Sequence, residues 1–137
     1  MKTRVRAIII RDNKVLFIHR IKENEEYWVF PGGGVEESDE SFEGALIREC
    51  TEELGIKVKV GQLFCSNQIK MQEKGIVEMF FFCEQIGGIL GTGTGPEYKN
   101  GEGYTGRHLL EWIELGSLSL HDVRPRAISE KLFKEVN

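Results

Sequence analysis

Apolar and polar positions alternate along the first thirty residues, and the elements of the chain follow from where that period changes. Arg4 to Ile10 alternates and then runs apolar through Ala7, Ile8, Ile9 and Ile10, which predicts a central strand. Asp12-Asn13 is a turn, and Val15 to His19 returns as the second strand of a hairpin. The charged run Lys22 to Glu26 is a loop, and Tyr27 to Phe30 is a strand that ends in the glycine turn Pro31-Gly32-Gly33-Gly34. The period then becomes helical. Leu46, Cys50 and Leu54 recur at i, i+4 and i+8 as a buried stripe, with Ser41 as N-cap and Gly55 as the left-handed stop. Period two resumes in Lys57 to Phe64 and Gly75 to Glu84, joined by the polar link Lys70 to Lys74. Glu78 is the odd acid of the second, more apolar strand; it could face the site, and an outward orientation is its default.

Gly87 to Gly106 contains eight of the sixteen glycines and predicts one long surface loop. Arg107 to Ile113 is the last strand and Ser117 to Asp122 a loop. Pro125 opens a closing helix to about Glu135, with Ile128, Leu132 and Phe133 facing inward. Strands around one strongly amphipathic helix, with a second helix closing the chain, predict an α/β fold in which helices pack on a mixed central sheet.

Composition narrows the function classes. A length of 137 residues suits a single domain, residues 1–137. The net charge of -4 supplies no general attraction to nucleic acid or membrane, so any polyanionic ligand must be held locally. Cys50, Cys65 and Cys83 are odd in number and lack a C-x-x-C spacing, which points to reduced thiols and a cytoplasmic setting. No signal peptide or membrane-length apolar run is expected.

The chemistry concentrates in the helical segment. Glu49, Glu52 and Glu53 lie at i, i+3 and i+4 and share one face at roughly 100° per residue. They repel one another in the last two turns, where the helix dipole is already negative, and Arg48 offsets only part of that. Two readings stand at this point: an acidic face turned to water, or the oxygen donors of a hard divalent cation such as Mg²⁺. The G-x-G-x-x-G of Gly101 to Gly106 is not a dinucleotide site, because a strand and not a helix follows it.

Gly34, Glu40, Arg48, Glu49, Cys50, Glu52, Glu53, Gly55 and Ile56 stand at the spacing of one family signature: Gly, five residues, Glu, seven residues, then Arg-Glu-hydrophobic-any-Glu-Glu-any-Gly-hydrophobic. The chain thereby resembles the Nudix hydrolases (MutT-like). Two departures are visible. Cys50 fills a slot usually held by a larger aliphatic, and three glycines rather than two follow Pro31, so the loop Val35 to Asp39 is one residue longer.

The resemblance implies an α/β/α sandwich and Mg²⁺-dependent hydrolysis (Mn²⁺ as substitute) of a phosphoanhydride in a nucleoside diphosphate linked to another moiety. Glu49, Glu52 and Glu53 would hold the metal, aided by a carbonyl of Gly33 or Gly34. Arg48 would orient the carboxylates, and Glu40 would tie the loop to the helix. Glu49, Glu53 or Glu97 would be the base, with Glu102 the second choice in the loop. Trp28 or Tyr27 could stack on a base, although core packing suits either ring, as it suits His19. A nucleoside triphosphate is the default substrate, since the proline of ADP-ribose enzymes and the tyrosine of dinucleoside polyphosphate enzymes are both absent from Ile56 to Lys74. The implied partner is a small nucleotide, not nucleic acid or membrane, with a homodimer common in the family. The contrasting class is a nucleotide-binding regulatory module on the same fold without turnover.

Overall fold

The computed structural model describes residues 2–71, 74–94 and 107–136. The opening hairpin pairs β1 (Lys2–Arg11) with β2 (Lys14–Lys22) across Asp12 and Asn13, both at positive φ (50° and 64°) as a tight two-residue turn requires. Strand β1 also runs parallel to β6 (Lys74–Gly88), and β6 is antiparallel to β5 (Ile56–Met71). On the other side, β2 pairs with β3 (Glu25–Val29) and β7 (Arg107–Glu114), and β3 with the short β8 (Val123–Arg124). Among the described residues the result is an eight-stranded mixed sheet in which β1 takes part in three ladders.

Each face of the sheet buries its own core. Helix α1 (Phe42–Leu54) seals one with Ala45, Leu46, Cys50 and Leu54 against Val5, Ala7 and Ile9. Helix α2 (Arg126–Val136) seals the other with Ile128 and Leu132 against Ile8, Phe17, Phe30 and Phe80. Alternation along β1 makes this possible, because Val5 and Ala7 face α1 while Ile8 joins the second core. Ser41 caps α1 by accepting the Gly44 amide, and Gly55 ends it at φ 78°, both as the residue pattern predicts.

Four local expectations are corrected. The charged run Lys22 to Glu26 is not a loop throughout: β2 continues to Lys22 and pairs with Glu25, so the hairpin turn shrinks to Glu23-Asn24. The glycine turn is a three-residue strand, β4 (Gly32–Gly34), laddered on Arg4 to Arg6. Ser117 to Asp122 falls largely within a 3₁₀ helix over Leu115–Leu120. Phe133 is 42% exposed, because the buried face of α2 follows Ile128, Ser129 and Leu132. Strands β5 and β6 also extend well beyond their alternating cores, pairing as far as Met71 and Lys74. No helix among the described residues is long and apolar enough to cross a membrane.

Two predictions test this packing. Leu46 is fully buried under α1, so Leu46→Ala is expected to cost about 2–5 kcal/mol in denaturant unfolding. In the β2–β7 ladder, Arg20 Nη1 lies 2.7 Å from His108 Nδ1. Burial and then the Arg20 charge push the His108 imidazole down to about 4 from its ordinary 6.5. The unfolded chain therefore takes up a proton near pH 6.5 that the folded chain refuses, and stability falls as pH drops from there toward about 4. His108→Gln should flatten that part of a plot of melting temperature against pH.

Candidate active site

Arg48 organises the acidic face of α1. Its Nε and Nη2 each lie 2.9 Å from an Asp39 carboxylate oxygen, a bidentate fork. Its Nη1 donates to Glu52 Oε2 at 2.9 Å and Glu49 Oε1 at 3.2 Å, and Glu36 stands 3.7 Å away. A further bond runs from Nη2 to the Gly34 carbonyl at 3.1 Å. One guanidinium thus ties the loop, the glycine strand and the helix together while facing four carboxylates. The Arg48 fork, with the Glu36 amide behind it, holds the Asp39 carboxyl below its usual range, and Asp39 in turn raises Arg48.

Asp39, and not Glu40, ties the loop to the helix. Glu40 is exposed just before the cap Ser41, whereas Asp39 also accepts the Glu36 amide at 2.8 Å and closes the loop on itself. The extra glycine displaces the register by one residue, so the tie falls five residues after Gly34.

The glycine strand lies against the carboxylates. The Gly32 amide donates to Glu53 Oε1 at 2.7 Å. A Cβ on Gly33 would come within 2.6 Å of the Glu49 carboxylate, and a Cβ on Gly32 within 2.0 Å of the Val5 carbonyl. Gly32 also sits at φ 142°, so it cannot bear a side chain. Gly34 has open space around it, and its carbonyl is taken by Arg48. Glu49, Glu52 and Glu53 therefore do share one face beside Gly32 and Gly33.

Among the described residues no three acidic, imidazole or thiol groups converge as a ready-made metal centre. The donor chemistry nevertheless fits a hard divalent cation: three carboxylates from one helix, the bare backbone of Gly32 and Gly33 against two of them, and a single guanidinium against four anions. A cleft of about 770 Å³ opens beside it, lined by Glu49, Gly34, Glu36, Lys2, Arg4 and Phe42 among others.

Other candidates lie elsewhere. Trp28 stacks on His19 at 4.2 Å between ring centres and meets His121 edge-on, while Tyr27 lies under the Arg124 guanidinium at 4.1 Å. Neither ring lines the cleft at Glu49. His19 is buried between Glu26 and Glu111, a structural position. Cys50 and Cys83 are buried free thiols, raised by burial, Cys83 to about 12; Cys65 is half-buried. Glu97 and Glu102 fall outside the described residues.

A family model, the NUDIX domain, matches residues 1–130. The chain belongs to the NUDIX domain family. Within that family it is 47% identical over 66 residues to the CTP pyrophosphohydrolase of Escherichia coli (strain K12), covering 47% of this chain and 48% of that protein. It is 36% identical over 85 residues to a MutT-like protein of Streptomyces ambofaciens, covering 62% and 53%. The chain thus spans about half the length of these curated relatives. Among solved structures, the solution structure of the E. coli ORF135 protein shares 29% identity at a TM-score of 0.71, over 98% of this chain and 86% of that one. The NUDIX fold of the chain, a curled mixed sheet with helices, is the one expected from its signature.

Sequence reasoning missed Gly32, Asp39, Arg6 and Glu78. Asp39 carried a signal, since it stands six residues beyond Gly33, the second glycine after Pro31, with five residues between them. Glu78 carried one as well, as the odd acid of an apolar strand, whereas Arg6 carried none.

Removing the fork should loosen both loop and carboxylates. Asp39→Ala is expected to lower activity about 10–100-fold, the scale for losing a partner that orients metal-site ligands, while Glu40→Ala stays near wild type. Steady-state rates of the two variants, read beside their melting temperatures, check this.

Proposed function

We propose that the chain is a divalent-cation-dependent pyrophosphohydrolase acting on a nucleoside diphosphate linked to another group, with nucleoside triphosphates first among its substrates. The observation that carries this reading is the facing of Glu49 and Glu53 by the bare backbone of Gly32 and Gly33, with Arg48 spanning the acids. The names of the relatives, a CTP pyrophosphohydrolase and a MutT-like protein, support the reaction class.

Glu49, Glu52 and Glu53 are the residues that would hold the cation, with Gly33 the better-placed glycine because Arg48 already occupies the Gly34 carbonyl. When bound, a divalent ion there supplies neutralisation of phosphate oxygens and acidification of water for in-line attack. Arg48 holds Glu49 and Glu52 apart and in place. The Gly32 amide fixes one oxygen of Glu53. Glu49 lines the larger cleft and is positioned to take a proton from attacking water, while Lys2 and Arg4 on the same cleft offset phosphate charge.

Purified protein offered nucleoside triphosphates, ADP-ribose and dinucleoside polyphosphates should cut a phosphoanhydride with Mg²⁺ and stop when EDTA removes it. Glu53→Gln is expected to lose about 100-fold or more of that rate. Nucleotide binding without turnover under any divalent ion would instead make the chain a binding module, and an unimpaired Glu53→Gln would move the metal site off α1.

A further inference from the structure

A second cleft, of about 260 Å³, lies on the face of β1 that is turned away from α1. Its walls are apolar, from Phe30, Ile69, Phe80 and Pro125, and polar groups converge among them as they do in small-molecule sites. Glu78 is 5% exposed on β6 and accepts at Oε2 from the Arg6 Nε at 2.9 Å. Arg6 then uses Nη1 to hold the carbonyls of Phe30 and Gly32, at 3.3 and 3.2 Å.

Gly32 is the hinge between the two clefts. Its carbonyl faces Arg6 and its amide faces Glu53, so the Arg6–Glu78 pair stands one peptide unit from the acidic helix. Arg4 lines both clefts, and its side chain makes no hydrogen bond or ion pair with a described residue. A ligand with its phosphates at Glu49 can therefore place its remaining group in the second cleft, passing a guanidinium on the way.

We infer that Glu78 reads the base of the nucleotide, selecting an amino-bearing edge such as that of cytosine or adenine. This rests on the nucleotide-hydrolase reading above. A carboxylate is acceptor-only, and the pair with Arg6 uses one of its two oxygens. What the other can recognise in an apolar cleft is a hydrogen-bond donor. A base that presents a carbonyl there sets acceptor against acceptor and leaves both unpaired, which is how polar sites reject near-isosteres. A bare brace for Arg6 would be a costly use of a buried acid, since burying an ion pair often fails to repay its desolvation.

Cytidine and uridine nucleotides test the assignment, because they differ only at that edge. In Glu78→Gln the amide oxygen can keep the Arg6 contact and turn its NH₂ toward the cleft, so the recognised group changes from donor to acceptor. Two readouts are needed: kcat/KM for CTP and UTP with Mg²⁺, and calorimetric binding of CMP and UMP without metal. The wild type should favour cytidine over uridine at least about tenfold in both, and Glu78→Gln should erase or invert that ratio. An equal fall for both nucleotides in Glu78→Gln would overturn the inference and leave Glu78 a brace for the glycine strand. So would a wild type that treats CMP and UMP alike. If the wild type binds CMP over UMP, with the ratio lost in Glu78→Gln, but cuts neither triphosphate, base reading stands and the hydrolase reading falls.

Discussion

The Arg48–Asp39 fork is the contact on which the site depends. Three glutamates crowd the end of α1, where their mutual repulsion and the helix dipole both oppose them. Left alone they would splay into water. Arg48 holds two of them from within the helix and is itself held by a carboxylate from the preceding loop, whose position is set in turn by the Glu36 amide. The charge balance remains negative, with one guanidinium against four carboxylates, and an added cation is the natural complement.

The curled sheet gives this cluster its second wall. Strand β1 pairs on one edge with the glycine strand and on the other with β6, so its alternating side chains serve opposite faces. Val5 and Ala7 anchor α1, while Arg6 meets Glu78 at the cleft on the other side. The missing side chains of Gly32 and Gly33 let backbone and carboxylate touch. The acidic face of α1 and the cleft at Arg6 and Glu78 thereby lie on either side of one short strand.

Local pattern carried much of this. The stripe Leu46, Cys50 and Leu54, the cap Ser41 and the stop Gly55 were all legible, because each depends on neighbours within one or two helical turns. The acidic face was legible for the same reason, since i, i+3 and i+4 spacing is a property of the helix alone. The Asp12-Asn13 hairpin belongs with these. By contrast, the helical spacing in α2 set Phe133 inward with Ile128 and Leu132, and it is exposed. Only the direction in which that helix packs decided that Ser129 is buried and Phe133 exposed.

The sequence by itself therefore determined the elements, the family signature and the shared face of Glu49, Glu52 and Glu53. Tertiary structure alone decided which residues meet that face. The glycines became a strand because β1 offered them an antiparallel edge, and Asp39 displaced Glu40 because the lengthened loop had to close on Arg48. Glu78 turned from an expected surface acid into a buried one because Arg6, two residues along β1 from its register partner Arg4 and 72 residues earlier in the chain, pairs with it. Periodicity is set by bonds between near neighbours, whereas a partner so distant in sequence is chosen only when parallel strands fall into register.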